Sequence, residues 1–202
     1  SRSRTDRPSL RPRFEAVKTL MDAGDTITTA QTWVEVLPAT GDIAAIRDRW
    51  VAAGFTQQAV RVWRPTGLPP EDAAIWRDAG INLTDASNIA RAGVRSLDAA
   101  RAVISHTEQH DPNRRYALLT LLGLLGRTIT DPQDVTYATI VHDATADLLI
   151  TDATKSTLLR DLIAAGDDPD KLRVAVALTD MHSEDDLRQV FGLSAHQQFA
   201  AA

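Results

Sequence analysis

The chain has no cysteine. Disulfides, thiol catalysis and cysteine-based metal sites are therefore excluded. Lysine is scarce, with three against nineteen arginines, a bias that matches a GC-rich bacterial genome and does not by itself make a nucleic-acid surface. Long apolar runs are missing too. The longest, around Tyr116 to Leu125, falls short of the ~18–20 residues that span a bilayer. The first residues show no apolar run of the secretory type, so a cytoplasmic location with no membrane partner is expected. No P-loop, GxGxxG, GxSxG or metalloprotease motif occurs. Accordingly no catalytic residue, cofactor or metal ligand is assigned, and a non-enzymatic role is expected. His106 and His110 are spaced i, i+4, but without HExxH a solvated helix end explains them better.

Aromatic residues make up only 5% of the chain, so their placement is informative. Trp50, Trp63 and Trp76 each stand four residues before a glycine, within a run of glycines spaced by thirteen: Gly41, Gly54, Gly67, Gly80 and Gly93. Internal repeats of this kind mark stacked units, none of which buries its apolar face alone. With glycine as position five, the blocks are 37–49, 50–62, 63–75, 76–88 and 89–101. Position one is Leu37, Trp50, Trp63, Trp76 or Ile89, and position six is apolar at Phe55, Leu68, Ile81 and Val94. Position ten is Asp72, Asp85 or Asp98, and position eleven is Ala73, Ala86 or Ala99.

Positions eleven, one and four share one helix face. Glycine at five suits a left-handed helix stop, and the apolar residue after it can fold back on the finished helix. An aspartate at ten falls in the next first turn, where the macrodipole favours negative charge. Each block is thus one helix of about nine residues plus a turn, too short to be stable alone. The tryptophans are expected in the core rather than on a stacking surface.

Downstream the period dissolves. Ser96 is expected to cap a helix to about Gln109, and Arg114 to Leu125 reads as a buried apolar helix. Asp131-Pro132 and Asp168-Pro169 are helix starts, the first helix reaching about Leu149. Ser183 and Asp186, then Ser194 and Gln197, resemble capping boxes. The expected fold is all-α: a short superhelical stack of thirteen-residue single-helix repeats (13–110), then a C-terminal helical bundle (111–202). A basic arm, 1–12, precedes both.

Function is sought on the outer face of the repeats, where arginines cluster. Arg64 and Arg77 occupy the same repeat position, and Arg61 and Arg91 point away from the tryptophan face. With Arg95 they form the expected partner-binding set: Arg61, Arg64, Arg77, Arg91 and Arg95. A helical-repeat interaction protein that binds a protein partner is the leading reading. The alternative is a DNA-binding or DNA-maintenance protein. Trp63 to Trp76 matches helix-turn-helix spacing, although the would-be recognition helix carries Glu71, Asp72 and Asp78 against Arg77 alone. A third reading is an enzyme with a site in the acidic C-terminal half, which a deep pocket lined by two or more of His142, Asp143, Asp147, Asp152 and Lys155 would favour.

Overall fold

A computed structural model of the chain describes residues 11–39, 41–108, 112–179 and 181–193, apart from the side chains of Glu108 and Pro112. Thr40, His110 and the Ser194 to Gln197 signature lie outside the described residues, as do residues 1–10 of the basic arm. The chain forms two compact units, Ser1–Leu83 and Thr84–Ala202. All secondary structure among the described residues is helical, save one isolated parallel bridge between Val94 and Ile129. No described helix is long and apolar enough to cross a membrane.

The first unit holds α1 (Arg11–Asp22), α2 (Ile27–Val36), α3 (Ile43–Ala52), α4 (Gln57–Trp63), a 3-10 turn (Arg64–Thr66) and α5 (Pro70–Asp78). The repeat chemistry explains each boundary. Thr26, Asp42 and Thr56 cap α2, α3 and α4 through side-chain oxygens that accept from Thr29, Ala45 and Ala59 amides. The repeat glycines sit at φ between 73 and 92°. At Gly54 the amide donates to Val51 O at 2.9 Å and the Phe55 amide to Trp50 O at 3.0 Å, the two bonds of a Schellman end. Gly80 and Ile81 repeat the pattern onto Arg77 and Trp76. At Trp50 and Trp76 position one therefore works twice, its indole in the core and its carbonyl receiving the returning chain; after Trp63 a 3-10 turn intervenes and the Leu68 amide donates to the Thr66 hydroxyl instead.

The core confirms this assignment. Trp33, Trp50, Trp63 and Trp76 are all buried, as are Phe55, Leu68 and Ile81. Phe55 meets Trp50 edge-on, with centroids 5.0 Å apart, and Trp63 at 5.9 Å, the arrangement that aromatic quadrupoles favour. Next-but-one helices touch, α1 with α3, α3 with α5 and α2 with α4. Arg47 pairs with Asp25, binding α3 to the turn after α1.

The second unit holds α6 (Leu83–Arg91, its first residue at the junction), α7 (Leu97–Glu108), α8 (Pro112–Gly123), α9 (Pro132–Ala144), α10 (Asp152–Ala165), α11 (Pro169–Leu178) and α12 (Glu184–Val190). Asp131, Asp168 and Ser183 cap their helices as their spacing implies. Two expectations are corrected. α8, expected to be buried, is only partly so, and the enclosed helix is α9. Four helices, α7, α8, α10 and α11, pack on α9, burying Val135, Tyr137, Ile140 and Val141. In α8 only one side is core, through Leu118, Leu121 and Leu122, while Tyr116 is 77% exposed. α9 also stops at Ala144 rather than near Leu149: Thr145 leaves the helical region at φ −109° and ψ 5°, its amide shared among the Val141, His142 and Asp143 carbonyls, and a turn follows.

Candidate functional site

The five arginines expected to face a partner fall into different surroundings. Arg61, on α4, is exposed and pairs weakly with Glu35 at 3.9 Å. It borders a groove with Thr32, Val36 and Gln57. Arg64 is exposed, forms no ion pair among the described residues, and borders a separate groove with Ile46, Trp50 and Pro70. There Arg49 grips Glu71 with two parallel bonds of 3.0 and 2.9 Å, which lowers the Glu71 pKa.

Arg77 is turned inward. Its guanidinium donates to Gly54 O at 3.2 Å and lies 4.4 Å over the Phe55 ring, while Nε donates to Asp78. It caps the end of α3 and covers the aromatic cluster. Arg77→Ala is expected to cost ~1–2 kcal/mol through the lost cation–π contact and charged hydrogen bonds. Arg64→Ala, at the same repeat position, is expected to leave thermal stability unchanged. Paired thermal melts of the two variants check this, and equal melting temperatures would refute the inward role.

In the second unit, Arg95 is half-buried. Its backbone amide donates to Ile129 O at 2.9 Å, and its buried Nη1 has no hydrogen-bond partner. Arg91 is exposed, with no ion pair among the described residues. It lines a groove of about 410 Å³ between α6 and α8. The floor is Ala92, Leu119 and Gly123, and Tyr116 stands on the rim. Gly123 lies against Ala92 at a distance that a Cβ would also tolerate, 3.9 Å from the Ala92 Cα. Arg115 lines the same groove, but Asp85 at 2.7 Å and the Thr107 hydroxyl at 2.9 Å hold it. Arg91 is thus the groove's uncompensated charge. Sequence reasoning named Arg91 but missed Tyr116; the available signal was Tyr116, Thr120 and Gly123 at i, i+4, i+7, opposite the leucine face.

Beside this groove, and sharing Tyr116 and Thr120 with it, a pocket of about 210 Å³ opens toward α9 and α10. His142, Asp152 and Lys155 line it, with Leu121 and Leu124 among its apolar walls. Three of the five residues named above for an enzyme therefore converge. Asp143 and Asp147 are not among the lining residues, and Asp143 is held by Arg114 at 2.6 Å. Burial pushes the His142 imidazole below its ordinary pKa; Asp143 opposes the shift, and Arg114 and Lys155 reinforce it. A His whose folded value is depressed contributes stability that is present above the unfolded value of 6.5 and is lost as pH falls through the folded value. Between about pH 7 and pH 5, the melting temperature is expected to fall less in His142→Gln than in the parent. Parallel pH–temperature profiles test it, and superimposable slopes would contradict a depressed imidazole.

The His106–His110 pair cannot be assembled, since His110 lies outside the described residues. No family model, curated protein or solved structure matches the chain.

Proposed function

We propose that this chain is a non-catalytic helical interaction protein whose second unit takes a segment of a protein partner in the groove between α6 and α8. One observation carries the reading: Tyr116, 77% exposed, borders an apolar groove beside the unpaired Arg91. Aromatic and arginine side chains are the residues that anchor protein interfaces. With Arg115 neutralised by Asp85, the complementary segment carries an acidic residue next to an apolar one. Binding is favoured over catalysis at the neighbouring pocket because His142 has no side-chain hydrogen-bond partner among the described residues to orient or activate it.

The nucleic-acid alternative draws its support from the turn between α4 and α5, where Gly67 takes a left-handed φ of 73° and a short helix follows. It is weakened by Arg77, the sole base of α5, which is spent on Gly54 and Phe55.

A displayed random-peptide library panned on the full chain tests the proposal. Enriched peptides are expected to combine acidic and apolar residues, and to lose about tenfold or more in affinity to both Arg91→Glu and Tyr116→Ala. Loss on Arg61→Ala or Arg64→Ala with Arg91→Glu silent would move the site to the first unit. No enrichment, together with duplex DNA binding that falls steeply with salt, would replace the proposal by the alternative.

A further inference from the structure

The pocket between α8, α9 and α10 has a charge pattern that a single ion does not match. Lys155 and Asp152 lie on α10 at i, i+3 and both line the pocket. Neither forms an ion pair with the other or with any described residue. Side chains so spaced have Cβ atoms about 5–6 Å apart, close enough to reach two charges carried on one carbon atom. The opposite wall, from α8 and the residue after it, is largely apolar: Ala117, Leu121 and Leu124, with Tyr116 and Thr120 at its edge toward the groove.

The two walls are tied together. The Leu124 carbonyl accepts from Arg160 Nη2 at 2.8 Å and from the Ser156 hydroxyl at 3.4 Å, fixing the end of α8 against α10. The volume, about 210 Å³, is room for a small organic molecule and not for a folded segment.

We propose that this pocket binds a free α-amino acid with an apolar side chain: its carboxylate on Lys155, its ammonium on Asp152, its side chain against Leu121 and Leu124. A plain carboxylate would satisfy Lys155 and leave Asp152 facing like charge. A plain amine would do the reverse. A dianion such as phosphate finds a single cation, because Arg114 is committed to Asp143 and the His142 imidazole is held toward its neutral form. The zwitterion answers both charges at once, and the leucines select an aliphatic body.

The inference is independent of the peptide groove, although Tyr116 and Thr120 border both. An NMR titration of the full labelled chain with L-leucine, isocaproate and isoamylamine tests it. Leucine is expected to give saturable shifts at Leu121, Leu124, His142 and Lys155, with a Kd about tenfold lower than either single-charge fragment. Lys155→Gln should reduce leucine to the affinity of the amine, and Asp152→Asn to that of the carboxylate. Arg91→Glu should leave leucine binding intact, which separates this site from the groove. Absence of saturation, equal affinity for leucine and either fragment, or leucine binding indifferent to both substitutions would each overturn the proposal. The fragment comparison uses the unaltered protein, so it stands even if a variant misfolds.

Discussion

Trp76→Ala is expected to destabilise the first unit by ~3–5 kcal/mol, the usual cost of truncating a buried tryptophan. The indole is 1% exposed, on α5, where the Ala73 beside it is also fully buried. Against a total stability of ~5–15 kcal/mol for a domain, such a loss leaves the unit marginal. All four tryptophans, at 33, 50, 63 and 76, lie within Ser1–Leu83. Tryptophan emission therefore reports on this unit alone. Urea unfolding followed by that signal should show a large drop in midpoint, and the second unit's transition, followed by tyrosine circular dichroism, should move less. A small drop in the tryptophan midpoint would mean that the repeat presents its indoles to a ligand instead of burying them.

Gly93→Ala carries the second large effect, and Gly80→Ala is its control. The two glycines hold the same repeat position and similar left-handed angles, φ 92° and 82°. A side chain in that conformation costs ~1–2 kcal/mol at either site. The surroundings differ. At Gly80 a Cβ meets nothing within 4 Å, whereas at Gly93 it would lie 2.8 Å from the Arg127 carbonyl oxygen. That backbone cannot swing aside cheaply, because Ile129 N donates to Gly93 O at 2.9 Å and Arg95 N to Ile129 O at 2.9 Å. Overpacking adds ~1–3 kcal/mol, so Gly93→Ala should cost about 1–3 kcal/mol more than Gly80→Ala. Thermal melts of both variants test the difference; equal losses would show that the close approach at Gly93 relaxes freely.

Much of the fold was legible in the sequence because it rests on local chemistry. The helix stops at Gly54, Gly80 and Gly93, the caps at Asp131 and Asp168, and the inward tryptophans all follow from neighbours a few residues apart. The order of burial in the second unit was not legible. Most of the longest apolar stretch lies in α8, yet α9 is the helix enclosed by four others, and periodicity says nothing about how many neighbours a helix acquires. The arginines show the same limit. Arg64 and Arg77 are equivalent in the repeat, but Phe55 and the carbonyls of Ala53 and Gly54 draw Arg77 inward, and that difference depends on a contact across more than twenty residues. His142, Asp152 and Lys155 stood out as a group of titratable residues. Only the packing of α10 on α8 and α9 turns three of them into one pocket and leaves Asp143 to Arg114.

Chemical-shift mapping of a library-selected peptide on the labelled full chain tests the interaction reading most directly. The largest shifts are expected at Asn88, Arg91, Ala92, Tyr116 and Leu119, on both walls of the α6–α8 groove. Largest shifts on α4 and α5 of the first unit, or saturable shifts there with duplex DNA and none with peptide, would contradict a protein-binding groove in the second unit.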